Sequence, residues 1–315
     1  MRISLVIPVY NEKGNISSLS ERIASALQEY DFEVVFIDDA STDGSLEAIR
    51  EITNKDQRFK AIVFRKNFGQ TAAIAAGVDV AQGEIIIPMD ADLENEPEDI
   101  PKLIAKLEEG YDVVSGWRKD RWQGQSIQRK IPSIVANWLI SKVSSLALHD
   151  YGCTLKAYRA EVIKNIRLYG DMHRFIPAYA YWNGAKVAEL MVNYKPRTYG
   201  ESKYGISRLW RVMLDLITLK FLSGYATRPS HLFGNVGLSF IFLGLIAGAL
   251  SLYYKLSTVH HKDFIQTPLP VIMAMLLVVG VMLIMIGLIS ELLVRTYHES
   301  QDKRTYVVKE RFNIS

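Results

Sequence analysis

With a single cysteine, Cys153, in 315 residues, the chain has no internal disulfide, which fits a reducing compartment and leaves the thiol a packing role. A targeting peptide is not expected either, because the first apolar run, Ile3 to Tyr10, is too short for one and follows a lone arginine. Nor is there a uniform basic field, because the net charge is only +3. That small balance hides a division. Residues 1–110 carry 11 Lys and Arg against 21 Asp and Glu, whereas residues 111–315 carry 26 against 13. The basic excess accompanies long uncharged runs, so nucleic acid is not expected as a partner.

Short apolar runs and helical patterns alternate through the first half. Ile3–Tyr10, Phe32–Ile37, Ala61–Phe64 and Glu84–Met89 read as strands, with Val113–Arg118 ending in a fifth. Ile16, Leu19, Ile23 and Leu27 carry helical spacing, and residues 45–53, 71–80 and 100–109 read as further helices. This order predicts an α/β domain with a mainly parallel sheet, whose ligand crevice lies beyond the carboxyl ends of the strands. Pro8–Glu12, Asp38–Asp43, Asn67–Gln70 and Asp90–Glu94 all fall at such ends.

The run Ile85-Ile86-Ile87-Pro88-Met89-Asp90-Ala91-Asp92 places two carboxylates one residue apart at a strand end. Alternation breaks down there, so both acids can turn to one point and hold a hard divalent cation through oxygen. A solvated turn fits the same pattern when it stands alone.

Val6-Ile7-Pro8-Val9-Tyr10-Asn11-Glu12, the turn Asp38-Asp39-Ala40-Ser41-Thr42-Asp43-Gly44 and Asp90-Ala91-Asp92 stand in the order and approximate spacing of the family-2 inverting glycosyltransferases. The chain resembles that family, of the nucleotide-sugar-binding GT-A fold, over about its first 230 residues. The resemblance implies that Pro8, Tyr10, Glu12, Asp38, Asp39 and Gln70 frame a nucleoside diphosphate sugar. It implies further that Asp90 and Asp92, with Glu94 as a further ligand, hold Mg2+ or Mn2+ against the diphosphate. Packing at a strand end is the alternative for Pro8 and Tyr10, and helix capping for Asp38.

Residues 236–254 and 264–290 carry no formal charge, and each run is long enough to cross a hydrocarbon core of about 30 Å. Two transmembrane helices, at about 234–254 and 268–292, are expected as a hairpin. Arg208, Arg211, Lys220 and Arg228 precede the pair, and Arg295, Lys303, Arg304, Lys309 and Arg311 follow it. This charge bias predicts an inner-membrane protein with its catalytic part and carboxyl terminus cytoplasmic. The division is then 1–228 for the soluble domain, 229–296 for the spans and 297–315 for a basic tail. Two basic amphipathic segments, about 128–146 and 204–222, suit the headgroup layer, though packing on the domain or on another subunit would use the same face.

A nucleotide-sugar site beside a membrane suggests a lipid acceptor, and here the resemblance narrows to the polyprenyl-phosphate glycosyltransferases. These include dolichyl-phosphate mannosyltransferase and the two-span bactoprenol glucosyltransferases, and the chain resembles the latter most. It implies metal-dependent inverting transfer of a hexose, with UDP-glucose as first choice, to undecaprenyl phosphate or a similar lipid. Asp150, in His149-Asp150-Tyr151-Gly152-Cys153, enters the position of the family's acceptor-side aspartate, with Asp92 the other catalytic acid. Arg118, Arg197, Ser202 and Lys203 would hold the acceptor phosphate, although each cation could also be a solvated surface charge. Transfer of mannose, an N-acetylhexosamine or a modified arabinose is the alternative, as is a non-catalytic nucleotide-sugar sensor. A polysaccharide synthase is not expected, because its Gln-x-x-Arg-Trp motif is missing. Gly237, Gly244 and Gly248 form a small-residue stripe that suits a homo-oligomer or, equally, contact with the second span of the same chain.

Overall fold

The computed structural model describes residues 2–122, 127–168, 172–195, 229–257, 263–300 and 306–314. The chain divides into two compact units, residues 1–216 with 304–315 and residues 217–303.

The first unit is built on eight strands in the order β7-β5-β6-β4-β1-β2-β3-β8. They are β1 Arg2–Val9, β2 Asp31–Asp38, β3 Phe59–Phe64, β4 Ile85–Pro88, β5 Val113–Trp117, β6 Lys156–Arg159, β7 Val187–Met191 and β8 Val308–Phe312. Between them run α1 Lys13–Ala26, α2 Ser45–Lys55, α3 Gln70–Val80, α4 Ile100–Glu108, α5 Ile127–Ser144, α6 Ala160–Lys164 and α7 Ile176–Trp182. The four central strands β4, β1, β2 and β3 are parallel. Their uninterrupted apolar runs suit strands covered on both faces. Alternate residues feed two cores. Leu5, Ile7, Val34, Phe36, Ile85 and Ile87 pack with α1, α2 and α4, whereas Val6, Val35, Ile37 and Ile86 pack with α3, α6 and α7.

Two strands break the parallel pattern. β6 is antiparallel to both β4 and β5, and β8 is antiparallel to β3. An antiparallel strand brings its lead-in, rather than its exit, to the carboxyl rim of its parallel neighbours. The second case corrects the expected tail over 297–315. Val308, Glu310 and Phe312 are half-buried while Lys309 and Arg311 are exposed, so the charges that read as a tail lie on the outward positions of an edge strand. Arg50 pairs with Glu310 at 2.6 Å, and Asn313 Nδ2 donates to the carbonyls of Thr53 and Phe59.

The apolar stripe of the 128–146 segment is divided between solvent and domain, since Leu139 and Val143 are half-buried and Leu146 is buried. Ile134, Val135 and Trp138 are exposed, Trp138 by 60%, while Ile140 on another side is buried. The second amphipathic segment, 204–222, lies outside the described residues.

The second unit contains α8 Pro229–Leu256 and α9 Leu269–Ser300. Both are long and apolar enough to cross a membrane, and most of each apolar stretch is exposed. The glycine stripe faces inward. A Cβ on Gly237 would come within 2.6 Å of the Gly280 carbonyl oxygen, one on Gly244 would press on Leu276 and Leu277, and one on Gly248 would meet the Met273 sulfur at 2.7 Å. The stripe is occupied by the neighbouring helix of the same chain, which removes the observation behind the expected homo-oligomer.

Candidate active site

The loops after β1, β2, β3 and β4 meet at one rim and enclose a cleft of about 260 Å³. Pro8, Tyr10, Glu12, Asp39, Gln70, Asp90 and Asp92 line it, together with Val9, Asn67, Gly69 and Ala91. The first two loops are laced to each other. Asn11 N donates to Ser41 Oγ, Thr42 N to Asn11 Oδ1 at 2.8 Å, and Glu12 N to Ser45 Oγ at 2.9 Å. Asn11 and Ala40 take positive φ values of 59° and 60° to make these turns.

Asp38 does not line the cleft. It is buried behind the rim, where its carboxylate accepts from Ser41 N, and burial pushes it above the ordinary aspartate value. It does not cap α2; Asp43 accepts from the Ser45 backbone instead. Asp39 accepts from the amides of Phe68 at 2.6 Å and Gly69 at 2.8 Å, so the third loop is held against the second. Burial raises its carboxyl despite those two donors. Gly69 reaches this arrangement with φ 89° and ψ 163°, a region open essentially to glycine alone.

Asp90 is gripped from two sides, by Gln70 Nε2 at 2.6 Å and Thr154 Oγ1 at 2.5 Å. Burial first, then the charge of Asp92, push its carboxyl up to about 6. The pair fits a hard divalent cation, because a cation would relieve both the desolvation and the repulsion. Glu94 is placed otherwise: its carboxylate lies 3.5 Å from Arg118. Among the described residues no group of three His, Cys, Asp or Glu forms a ready metal cage, so oxygens from a ligand would have to complete the coordination.

Thr154 ties this cleft to a second set of side chains. Arg118 Nε donates to Asp150 Oδ2 at 2.8 Å and Nη2 to Oδ1 at 3.3 Å, and Arg121 approaches the same carboxylate at 3.6 Å. Burial, the largest single influence, would raise the Asp150 carboxyl, but Arg118 together with Arg121 and Lys156 holds the group below its ordinary value. The Arg118 guanidinium is correspondingly stabilised as a cation by Asp150 against its own burial. Lys156, buried beneath the loop, donates to the carbonyls of Tyr151 and Cys153 and fixes its curve. Arg121, Thr154 and Lys156 were not legible as site residues; for Arg121 the only signal was its place beside Arg118 in Trp117-Arg118-Lys119-Asp120-Arg121. Arg197, Ser202 and Lys203 lie outside the described residues.

Comparison with known proteins agrees with this geometry. The model of the family "Glycosyl transferase family 2" matches residues 4–167. A dodecaprenyl-phosphate galacturonate synthase of Rhizobium johnstonii is 40% identical, over 99% of this chain and 94% of its own. An undecaprenyl-phosphate 4-deoxy-4-formamido-L-arabinose transferase of Pseudomonas syringae is 34% identical, over 98% and 90%. In fold, the chain is similar to a glucosyl-3-phosphoglycerate synthase of Mycobacterium tuberculosis solved with Mn2+, UDP and phosphoglyceric acid. The TM-score is 0.56 at 17% identity, over 70% of this chain and 78% of that one. The sheet is thus a GT-A domain, and the chain belongs to glycosyl transferase family 2.

Proposed function

We propose that the chain transfers a sugar from a nucleoside diphosphate sugar to a polyprenyl phosphate at a membrane surface. The observation that carries this reading is the Thr154 bridge to Asp90, which joins the cleft of Asp39, Asp90 and Asp92 to the Arg118–Asp150 pair as one site. Asp39 and the rim around Pro8, Tyr10 and Glu12 bind the nucleoside, and Asp90 and Asp92 hold Mg2+ or Mn2+. When bound, that cation would neutralise charge gathering on the departing diphosphate. An oxygen of the lipid phosphate attacks the anomeric carbon from the opposite face. The new C–O bond forms as the bond to the diphosphate breaks, and the configuration inverts. A phosphate monoester, with a second pKa of about 6, already carries its charge at neutral pH and needs no strong base. The depressed carboxyl of Asp150 agrees with a positioning role, since it makes a poor base. Arg121 stands nearby as a cation for the acceptor phosphate, with Arg197, Ser202 and Lys203 as further contributors.

For the sugar, the relatives favour a uronic acid or a modified pentose over the glucose expected from sequence, because the two described above are named for galacturonate and formamido-arabinose transfer. UDP remains the proposed carrier.

The membrane part of the proposal rests on α8 and α9 as spans and on the exposed Ile134, Val135 and Trp138 of α5 as a headgroup contact. In chain order the two helices fall between the strands of one sheet, β1 to β7 before them and β8 after them. The positive charges flanking the pair support a cytoplasmic placement of both its outer ends at an inner membrane.

The deciding experiment offers the purified full chain undecaprenyl phosphate, Mn2+ and a panel of UDP-glucose, UDP-galacturonic acid, a UDP-formamido-arabinose and GDP-mannose, and reads the mass of the lipid product. One donor yielding a sugar-phosphate lipid is expected; release of nucleotide without a lipid product would sink the proposal.

A further inference from the structure

β8 enters the sheet from the cleft side. It pairs antiparallel with β3, Phe64 opposite Val308, so Tyr306 and Val307 lie where β3 gives way to the Asn67–Gln70 loop. Arg65 N donates to the Val307 carbonyl at 3.2 Å. Tyr306 is buried to 7% exposure, and its ring stacks on Phe64 with centroids 5.3 Å apart and planes 20° apart. Phe64 in turn meets Phe68 edge to face at 5.5 Å. The Tyr306 hydroxyl donates to Asp79 Oδ2 at 2.7 Å, near the end of α3, whose first residue is Gln70. The loop held between these anchors is the one that presents Phe68 N and Gly69 N to Asp39 and Gln70 Nε2 to Asp90.

We propose that Tyr306 is a positioning residue of the donor site. It props Phe68 through Phe64 and steadies α3 through Asp79, and thereby keeps the strained Gly69 turn in the shape that aims Asp39 and Asp90 into the cleft. Without the Tyr306 ring, Phe64 loses the partner on that side of the sheet and Phe68 loses its fixed wall. Only residues 301–305 separate Tyr306 from Ser300, the last residue of α9. Donor affinity therefore depends on a segment that the chain supplies only after its second apolar helix. The inference rests on the reading of the cleft as a nucleoside diphosphate sugar site.

The test measures binding of UDP with Mn2+ by calorimetry on the full chain, together with separate KM values for the sugar donor and the lipid. Tyr306→Ala should raise the UDP dissociation constant and the donor KM roughly three- to tenfold, the range one aromatic pair supplies, and leave the lipid KM unchanged. Tyr306→Phe keeps the ring but loses the hydrogen bond to Asp79, and should fall between wild type and Tyr306→Ala. Tyr306→Leu keeps the bulk without the stack, and stands in if the alanine variant does not fold. Arg50→Ala, which removes the ion pair to Glu310 on the opposite face of the sheet, should leave UDP binding unchanged. Unaltered UDP affinity in Tyr306→Ala or Tyr306→Leu, or an equal loss in Arg50→Ala, overturns the positioning role. A wild-type chain that binds no UDP overturns the donor-site reading itself.

Discussion

Arg118 and Asp150 form a two-point ion pair, 2.8 Å through Nε and 3.3 Å through Nη2, with both side chains shut away from water. Sequence reading placed Arg118 on the acceptor phosphate and Asp150 among the catalytic acids; the fold puts each in the other's grip. Removing the cation strands a buried carboxylate. Arg118→Ala is expected to lose about 3–5 kcal/mol of stability, seen as a lowered midpoint in thermal unfolding. Asp150→Asn should cost less stability yet slow transfer on the order of a hundredfold, through misorientation, with UDP binding retained. Because the Asp150 carboxyl lies below its ordinary value, its contribution is complete at neutral pH and disappears only as pH falls through the folded value. The unfolding midpoints of wild type and Asp150→Asn should converge there.

Gly69 offers a test of backbone shape without a steric confound. A Cβ at this position would meet nothing within 4 Å, so Gly69→Ala introduces strain and no clash. The expected penalty is about 1–3 kcal/mol, which should appear as weaker UDP binding together with a small loss of stability. Calorimetry that shows unchanged UDP affinity would dissociate the turn from the donor site.

Metal uptake should be pH-dependent. With Asp90 titrating near 6, a divalent cation has to displace its proton at lower pH, so Mn2+ affinity should fall up to tenfold for each pH unit below about 6. The sign on stability follows. The folded chain holds this proton where the unfolded chain has lost it, so the metal-free protein becomes less stable as pH rises from the ordinary aspartate value toward 6. Titration in two buffers of different ionisation enthalpy measures the proton released. Asp92→Asn should abolish metal-dependent transfer and leave the chain membrane-bound.

The helix pair makes a separate prediction. Gly237→Leu and Gly280→Leu each drive a side chain into the other helix's backbone and should reduce the yield of intact protein in membranes, whereas Gly234→Leu, which meets nothing, should not. Cross-linking should give the same oligomeric pattern for the Gly244→Leu and Gly248→Leu chains that still fold, because their stripe faces inward.

Much was legible from local pattern. Unbroken apolar runs located the four central strands, and parallel strands carry their exits to one rim, so periodicity and order sufficed to bring four polar clusters together there. Which residues of those clusters face a ligand came from the family resemblance; of the residues it implied, Pro8, Tyr10, Glu12, Asp39, Gln70, Asp90 and Asp92 line the cleft. The two spans were plain for the same kind of reason, since charge-free length is a local property.

Strand direction and partner choice are not local properties. The sequence determined that the acids at the ends of β2 and β4 gather at one edge of a sheet, and that two helices can cross a membrane. Only the tertiary structure decided that β6 and β8 run backward. That reversal carries Asp150–Thr154 and Tyr306 to the same rim through their lead-ins, whereas parallel strands would have sent them to the opposite end. It also decided which charge Arg118 meets and which helix fills the glycine stripe, because a cation or a small residue specifies what it can receive, and the folded chain specifies what arrives.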